Sequence, residues 1–140
     1  MADLSMRISV ELEQIELTLA MLPSAEKLMV LSPLECAGTA SLIHNFYNGI
    51  ENVIKQVFQH FAFEMPNGYS WHRELLEFAG VHGVISEGSV KSLAPFLAFR
   101  HFFVHGYAVR IEAERLAPLL ESIAPVYSKF KNDVFSFISA

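Results

Sequence analysis

The chain has a single cysteine, Cys36, among its 140 residues, so it cannot close a disulfide on itself, and nothing in it points to an oxidising compartment. It lacks any run of about 18 residues free of polar or charged members, the length a membrane-spanning helix requires. Its opening stretch, MADLSMRISVELEQ, carries acids and polar residues where an export signal needs an apolar segment. A cytoplasmic protein is the expectation. Bases are also scarce: 10 Lys and Arg against 15 Asp and Glu leave a net charge of −5, which opposes a broad cationic face running along a nucleic acid. A nucleic-acid substrate would have to be gripped locally. Internal repeats, low-complexity tracts and linker-like shifts in composition are missing too, and the length suits one domain over residues 1–140.

Apolar residues are abundant. They make up 52% of the chain, with twelve phenylalanines, somewhat above the usual range of about 45–50%. A full core with some surface reserved for a partner, including a second copy of the chain, is the natural use of that excess.

The apolar positions step by four and three. Leu4, Ile8, Leu12, Ile15, Leu19 and Leu22 mark a first amphipathic helix. Ser32, Pro33 and Glu35 form a helix-start signal with capping-box spacing, followed by Ile43, Tyr47, Ile50, Ile54, Val57 and Phe61 on one helix of about thirty residues. Gly38 and Gly49 interrupt it at a cost of about 1 kcal/mol each, which close helix approach or a bend would explain. After turn chemistry in MPNGYS, Ser70 is expected to cap a short helix Trp71 to Ala79 closed by Gly80. Another helix should run from near Ser89 to about Gly106, kinked or broken at Pro95. Leu116, Leu120, Ile123, Tyr127, Phe130, Val134 and Phe137 give a long last helix despite Pro118 and Pro125. With strand patterns essentially absent, the sequence predicts an all-α bundle of about five helices, four long and one short.

The segment FRHFFVHGY, Phe99 to Tyr107, concentrates chemistry in an apolar setting. Arg100 cannot shed its charge there and must meet an anion, an acid or water; a phosphate fits. His101 and His105 lie four apart on one helix face, but spacing supplies no third ligand, so no metal site is expected. Cleavage of RNA by attack of a ribose 2′-hydroxyl on the adjacent phosphate makes better use of these groups. It needs a base, an acid and a cation for the charge developing on phosphorus. The negative end of the helix near Gly106 favours protonated His105. One chain offers a single clear acid–base histidine in this motif, and a two-fold dimer would bring a second copy of Arg100 and His105 to the same cleft, with the neighbouring phenylalanines lining the interface.

These residues carry a resemblance. RHFFVH matches the R-polar-x3-H signature of HEPN domains, and RHFFVHGY extends it to the R-x4-H-x-Y form of HepT toxins. FYNGIENVIKQV at Phe46 to Val57 and PNGYSWHRELLEF at Pro66 to Phe78 look like blocks of a HepT-like branch, so the resemblance covers roughly residues 30 to 125. It implies a HEPN-type bundle acting as a homodimeric, metal-independent endoribonuclease toxin that needs no cofactor and pairs with an MNT-type nucleotidyltransferase antitoxin. Arg100 and His105 would be the catalytic pair, His101 the polar residue after the arginine, and Tyr107 the tyrosine that such an antitoxin can modify with AMP, where a bulky anion would repel RNA.

Outside the motif, Glu51 and Asn48 are read as solvated or as satisfying a neighbouring helix, with support of the cleft as the alternative. Trp71 is expected to anchor the short helix, His72 to be exposed at its first turn, and Tyr47 and Tyr69 to pack. Two other functions remain open from the residues: a HEPN module that binds a nucleotidyltransferase or a nucleotide without cleaving anything, and a plain helical bundle whose motif is fortuitous.

Overall fold

A computed structural model describes residues 2–107 and 112–140, without the side chains of residues 106 and 107. Five α-helices form the bundle: α1 (Ala2–Ala20), α2 (Pro33–Phe61), α3 (Trp71–Val81), α4 (Glu87–Phe102) and α5 (Ala113–Ser139). A 3-10 turn, Ala25–Val30, links α1 to α2, and a π-helical turn, Phe103–Tyr107, continues α4. The expected architecture of four long helices and one short one is met, and no strand occurs among the described residues.

The start signal of α2 works as its residue types demand. Ser32 Oγ accepts from the Glu35 amide at 3.1 Å, and the Glu35 carboxylate accepts from the Ser32 amide at 2.9 Å, so two donors orphaned at a helix start satisfy each other's side chains. Those two bonds hold the Glu35 carboxyl below its usual range. α2 is the central helix, with α1, α3, α4, α5 and the π-turn all packing on it. Accordingly its buried residues fill more than one stripe, from Ile43, Phe46 and Tyr47 through Ile50, Val53, Ile54 and Val57 to Phe58. Across it, Leu4, Ile8, Leu12 and Ile15 of α1 are buried as their spacing predicts, while Leu22 lies beyond the helix end. The two helices meet so closely at Gly49 that a Cβ there would overlap Ile15 Cγ1 and stand 2.9 Å from Cδ1. Close approach explains this glycine, whereas nothing lies within 4 Å of the equivalent point on Gly38.

Three boundaries differ from the sequence expectation. Ser70 makes no side-chain cap to α3, which runs through Gly80 to Val81; a Cβ on Gly80 would sit 2.8 Å from Val90 Cγ2, so Gly80 serves packing against α4 rather than termination. α4 begins earlier than Ser89 because Ser86 is the cap, its hydroxyl accepting from the Ser89 amide at 3.1 Å. That cap is tied to α5: Asp133 accepts from the Ser86 amide at 2.9 Å, the Ser86 hydroxyl at 2.7 Å and the buried Ser89 hydroxyl at 2.6 Å. Burial alone would raise the Asp133 carboxyl, but the bonds from Ser89 and Ser86, with the nearby Lys129 charge, outweigh it and hold the carboxyl below its usual range. At the other end of the chain, Tyr127 of α5 donates to Glu16 of α1. Lys131 adds an ion pair to the same Glu16 oxygen at 3.1 Å.

Two measurements test this packing. Gly49→Ala should destabilise the fold by about 1–2 kcal/mol, the overpacking penalty exceeding the gain in helix propensity. Adding Ile15→Ala should recover part of that loss, so chemical denaturation would give a double variant more stable than the sum of the singles. Asp133→Asn should cost about 1–2 kcal/mol at neutral pH, from weakened bonds to a charged acceptor. Because the carboxyl is depressed in the folded state, its contribution is present above the unfolded value near about pH 4 and fades as pH falls through the folded one. Melting curves of wild type and variant should therefore converge in acid.

Candidate active site

A carboxylate stands on the buried face of α2. Glu51 is 3% exposed and shares that face with Tyr47, one turn before it, and Ile54, nearly one turn after. Its Oε2 lies 2.8 Å from His72 Nδ1, the second residue of α3. A buried carboxylate needs such a partner, and this one fastens α3 to α2 across twenty-one residues of chain. His72 is consequently not an exposed first-turn residue: its side chain is 21% exposed, and the Trp71 ring lies against it with centroids 3.5 Å apart. Trp71 is in turn covered by Lys55, whose Nζ is 4.5 Å from the ring centre. Glu51 thus satisfies a neighbouring helix, whereas Asn48 finds its partner within α2, with Nδ2 3.3 Å from His44 Nε2.

α4 supplies the facing wall. Phe96 and Phe99 point into the core and leave Arg100 on the flank, half-buried. Its Nε is buried without a hydrogen-bond partner, and no ion pair reaches its guanidinium among the described residues. The field of this unneutralised cation is felt by its neighbours. His44 is pushed below its usual value, first by burial, then by Arg100 and by His72. Burial raises the Tyr47 phenol strongly, with Glu51 adding to the rise and Arg100 opposing it. The Tyr47 hydroxyl and His44 Nδ1 are buried without partners, like Arg100 Nε. Arg100 and His72 thus both act on His44, near where α2, α3 and α4 meet.

That place opens to solvent as a cleft of about 410 Å³ lined by Tyr69, His72, Arg73, Leu97, Arg100 and His101. Tyr69 is fully exposed at the rim, so it is no packing residue, unlike the buried Tyr47. His101 and His105 are both exposed, with ring centroids 4.2 Å apart, in line with their spacing. Arg100 and His101 line the cleft, whereas His105 sits one turn further along, in the π-turn. The Tyr107 side chain lies outside the described residues. The phenylalanines around the motif are engaged internally: Phe96 and Phe99 in the core, Phe103 stacked on His44 at 4.8 Å, Phe102 beneath Arg115 at 4.1 Å. Exposed large apolar side chains occur at Met6, Val10 and Leu17 of α1, at Met21, Met29, Val30 and Leu34 after it, and at Val104 within the motif. Among the described residues no three His, Cys, Asp or Glu side chains converge as metal ligands, and no helix is long and apolar enough to cross a membrane.

Chemically, the cleft offers a guanidinium with no ion-pair partner among the described residues, suited to an anion, and imidazoles suited to proton transfer. Arg100 and His101, singled out by sequence spacing, line this cleft, and His72, expected to be exposed, lines it too and is paired with Glu51. The available signal was Glu51 itself, a carboxylate in register with an apolar stripe, which must have a partner somewhere.

The field of Arg100 is directly measurable. In an NMR titration of the six histidines, His44 should titrate below the exposed ones. Arg100→Gln should move it back upward, while leaving the part due to burial.

Comparison with known proteins places this arrangement. A family model described as HepT-like protein matches residues 38–140. No curated protein and no solved structure matches the chain. The matched span takes in nearly all of α2, both walls of the cleft, α3 and α4, and the whole of α5, and the chain belongs to the HepT-like family.

Proposed function

We propose that the protein is an endoribonuclease toxin of the HEPN type, cutting RNA without a metal at a site built from Arg100, His105 and His101. The observation that carries this reading is the unneutralised Arg100. A guanidinium kept half-buried with no acid beside it, opening with His101 into a cleft, is suited to a phosphodiester and wasteful otherwise. Membership of the HepT-like family supports it.

In the reaction, the 2′-oxygen attacks the adjacent phosphorus while the bond to the 5′-oxygen breaks, leaving a 2′,3′-cyclic phosphate and a 5′-hydroxyl. Arg100 balances the negative charge gathering on the non-bridging oxygens, and protonated His105 supplies the leaving oxygen with its proton. The chain works as a homodimer whose two motifs face each other. An MNT-type nucleotidyltransferase acts as antitoxin, with Tyr107 as the residue it modifies with AMP. An anion added two residues beyond His105 would compete for Arg100 and repel the substrate.

Purified protein and a fluorescent RNA, incubated with EDTA, give the test. Wild type should cleave, and Arg100→Ala and His105→Ala should each lose about 100-fold or more in rate. Mixed dimers of the two variants should regain activity if one cleft draws Arg100 and His105 from different protomers. Cleavage abolished by EDTA, or intact RNA with wild type, would overturn the proposal in favour of a module that only binds its partner.

A further inference from the structure

Resting on the nuclease reading above, we infer that His72 is a further catalytic residue, the general base that takes the 2′-hydroxyl proton, and that Glu51 is its positioning residue. Three observations lead there. His72 lines the same cleft as Arg100, although it comes from a different helix and lies outside the arginine–histidine motif. Its Nδ1 is committed to Glu51 at 2.8 Å, while Nε2 has no hydrogen bond among the described residues and is not one of the buried orphan atoms. Glu51 is a carboxylate at 3% exposure whose one hydrogen bond among the described residues is to this imidazole.

A carboxylate on Nδ1 fixes the neutral tautomer, with the hydrogen on Nδ1 and the basic lone pair on Nε2, and stabilises the imidazolium once a proton arrives. Trp71 against the ring holds its plane. The charged groups around it are Glu51 and Lys55 on α2, Arg73 on its own helix, and Arg100 and His101 on α4, with His44 also within electrostatic reach. Glu51 is the acid among these that touches the imidazole, which makes the pair an acid–base device inside a cationic cleft. His101 has no comparable support: its ring meets His105 and its side chain is exposed.

The step then balances. Neutral His72 Nε2 accepts the 2′-hydroxyl proton as the bond from the 2′-oxygen to phosphorus forms. The bond from phosphorus to the 5′-oxygen breaks, and protonated His105 gives that oxygen a proton. One histidine ends protonated and the other neutral, and exchange with water restores both. On this assignment base and cation come from the same protomer, and the acid, His105, is the group that a partner copy would supply.

His72→Asn separates catalysis from structure, since an asparagine amide can occupy the Nδ1 position and still donate to Glu51 but has nothing at Nε2. Its melting temperature should stay near that of wild type while single-turnover cleavage of a fluorescent RNA falls about 100-fold or more. His72→Ala should be equally slow and regain activity with added imidazole, which a purely structural residue would not do. Glu51→Gln should lower kcat with KM little changed, because the base loses the carboxylate that sets its tautomer while the groups that grip the RNA remain. If folded His72→Asn cuts as fast as wild type while Arg100→Ala and His105→Ala are inactive, the His72 assignment is overturned and the nuclease reading survives. If wild type itself leaves RNA intact, both fall.

Discussion

Glu51 is a carboxylate placed at 3% exposure on the helix that every other helix touches, and the free energy of putting an ion there has to be offset by a partner. His72 is that partner, and the consequences spread outward. α3 is short and would be marginal alone, so the bond from its first turn to α2 fixes where it sits. With α3 fixed, α4 packs against both, and the cleft is what remains between them. The polar end of the bundle is thus organised by one buried pair, with apolar packing closing around it.

The same layer contains an imbalance. Arg100 Nε, His44 Nδ1 and the Tyr47 hydroxyl are all buried without partners within one neighbourhood. A bundle stabilised only for stability would satisfy or replace them, since each unsatisfied group costs about 1–3 kcal/mol. A cation with no ion-pair partner among the described residues, beside a histidine driven towards neutrality and a phenol kept protonated, favours the approach of negative charge. Such arrangements concentrate where binding or catalysis is done.

Much of this was legible in the sequence. The four-and-three steps of Leu4 to Ile15 and Ile43 to Phe61 gave α1 and α2, and Ser32, Pro33 and Glu35 gave the start of α2 to the residue. Arg100 and His101 of the clustered motif stand on the cleft wall from α4, with His105 one turn beyond it. What spacing could not give was contact between separate helices: the Glu51 and His72 pair, the Asp133 anchor under Ser86 and Ser89, and the fit of Gly80 against Val90. Those depend on how helices come together, which periodicity along one helix does not encode. Tyr69 went astray for a related reason, since an aromatic in a turn packs only if another element comes over it, and here none does.

Pro95 stands midway along α4, and without an N–H it cannot give the Lys91 carbonyl the bond that an α-helix would place there. The first half of α4 is bolted to α5 through Asp133, whereas the second half bears Arg100 and His101. Mechanically this is a beam clamped at one end with its softest cross-section at mid-span. Beyond that point Phe96 and Phe99 are sunk in the core, so the wall that holds the guanidinium is kept in place by side-chain packing where the helix's own bonding is weakest.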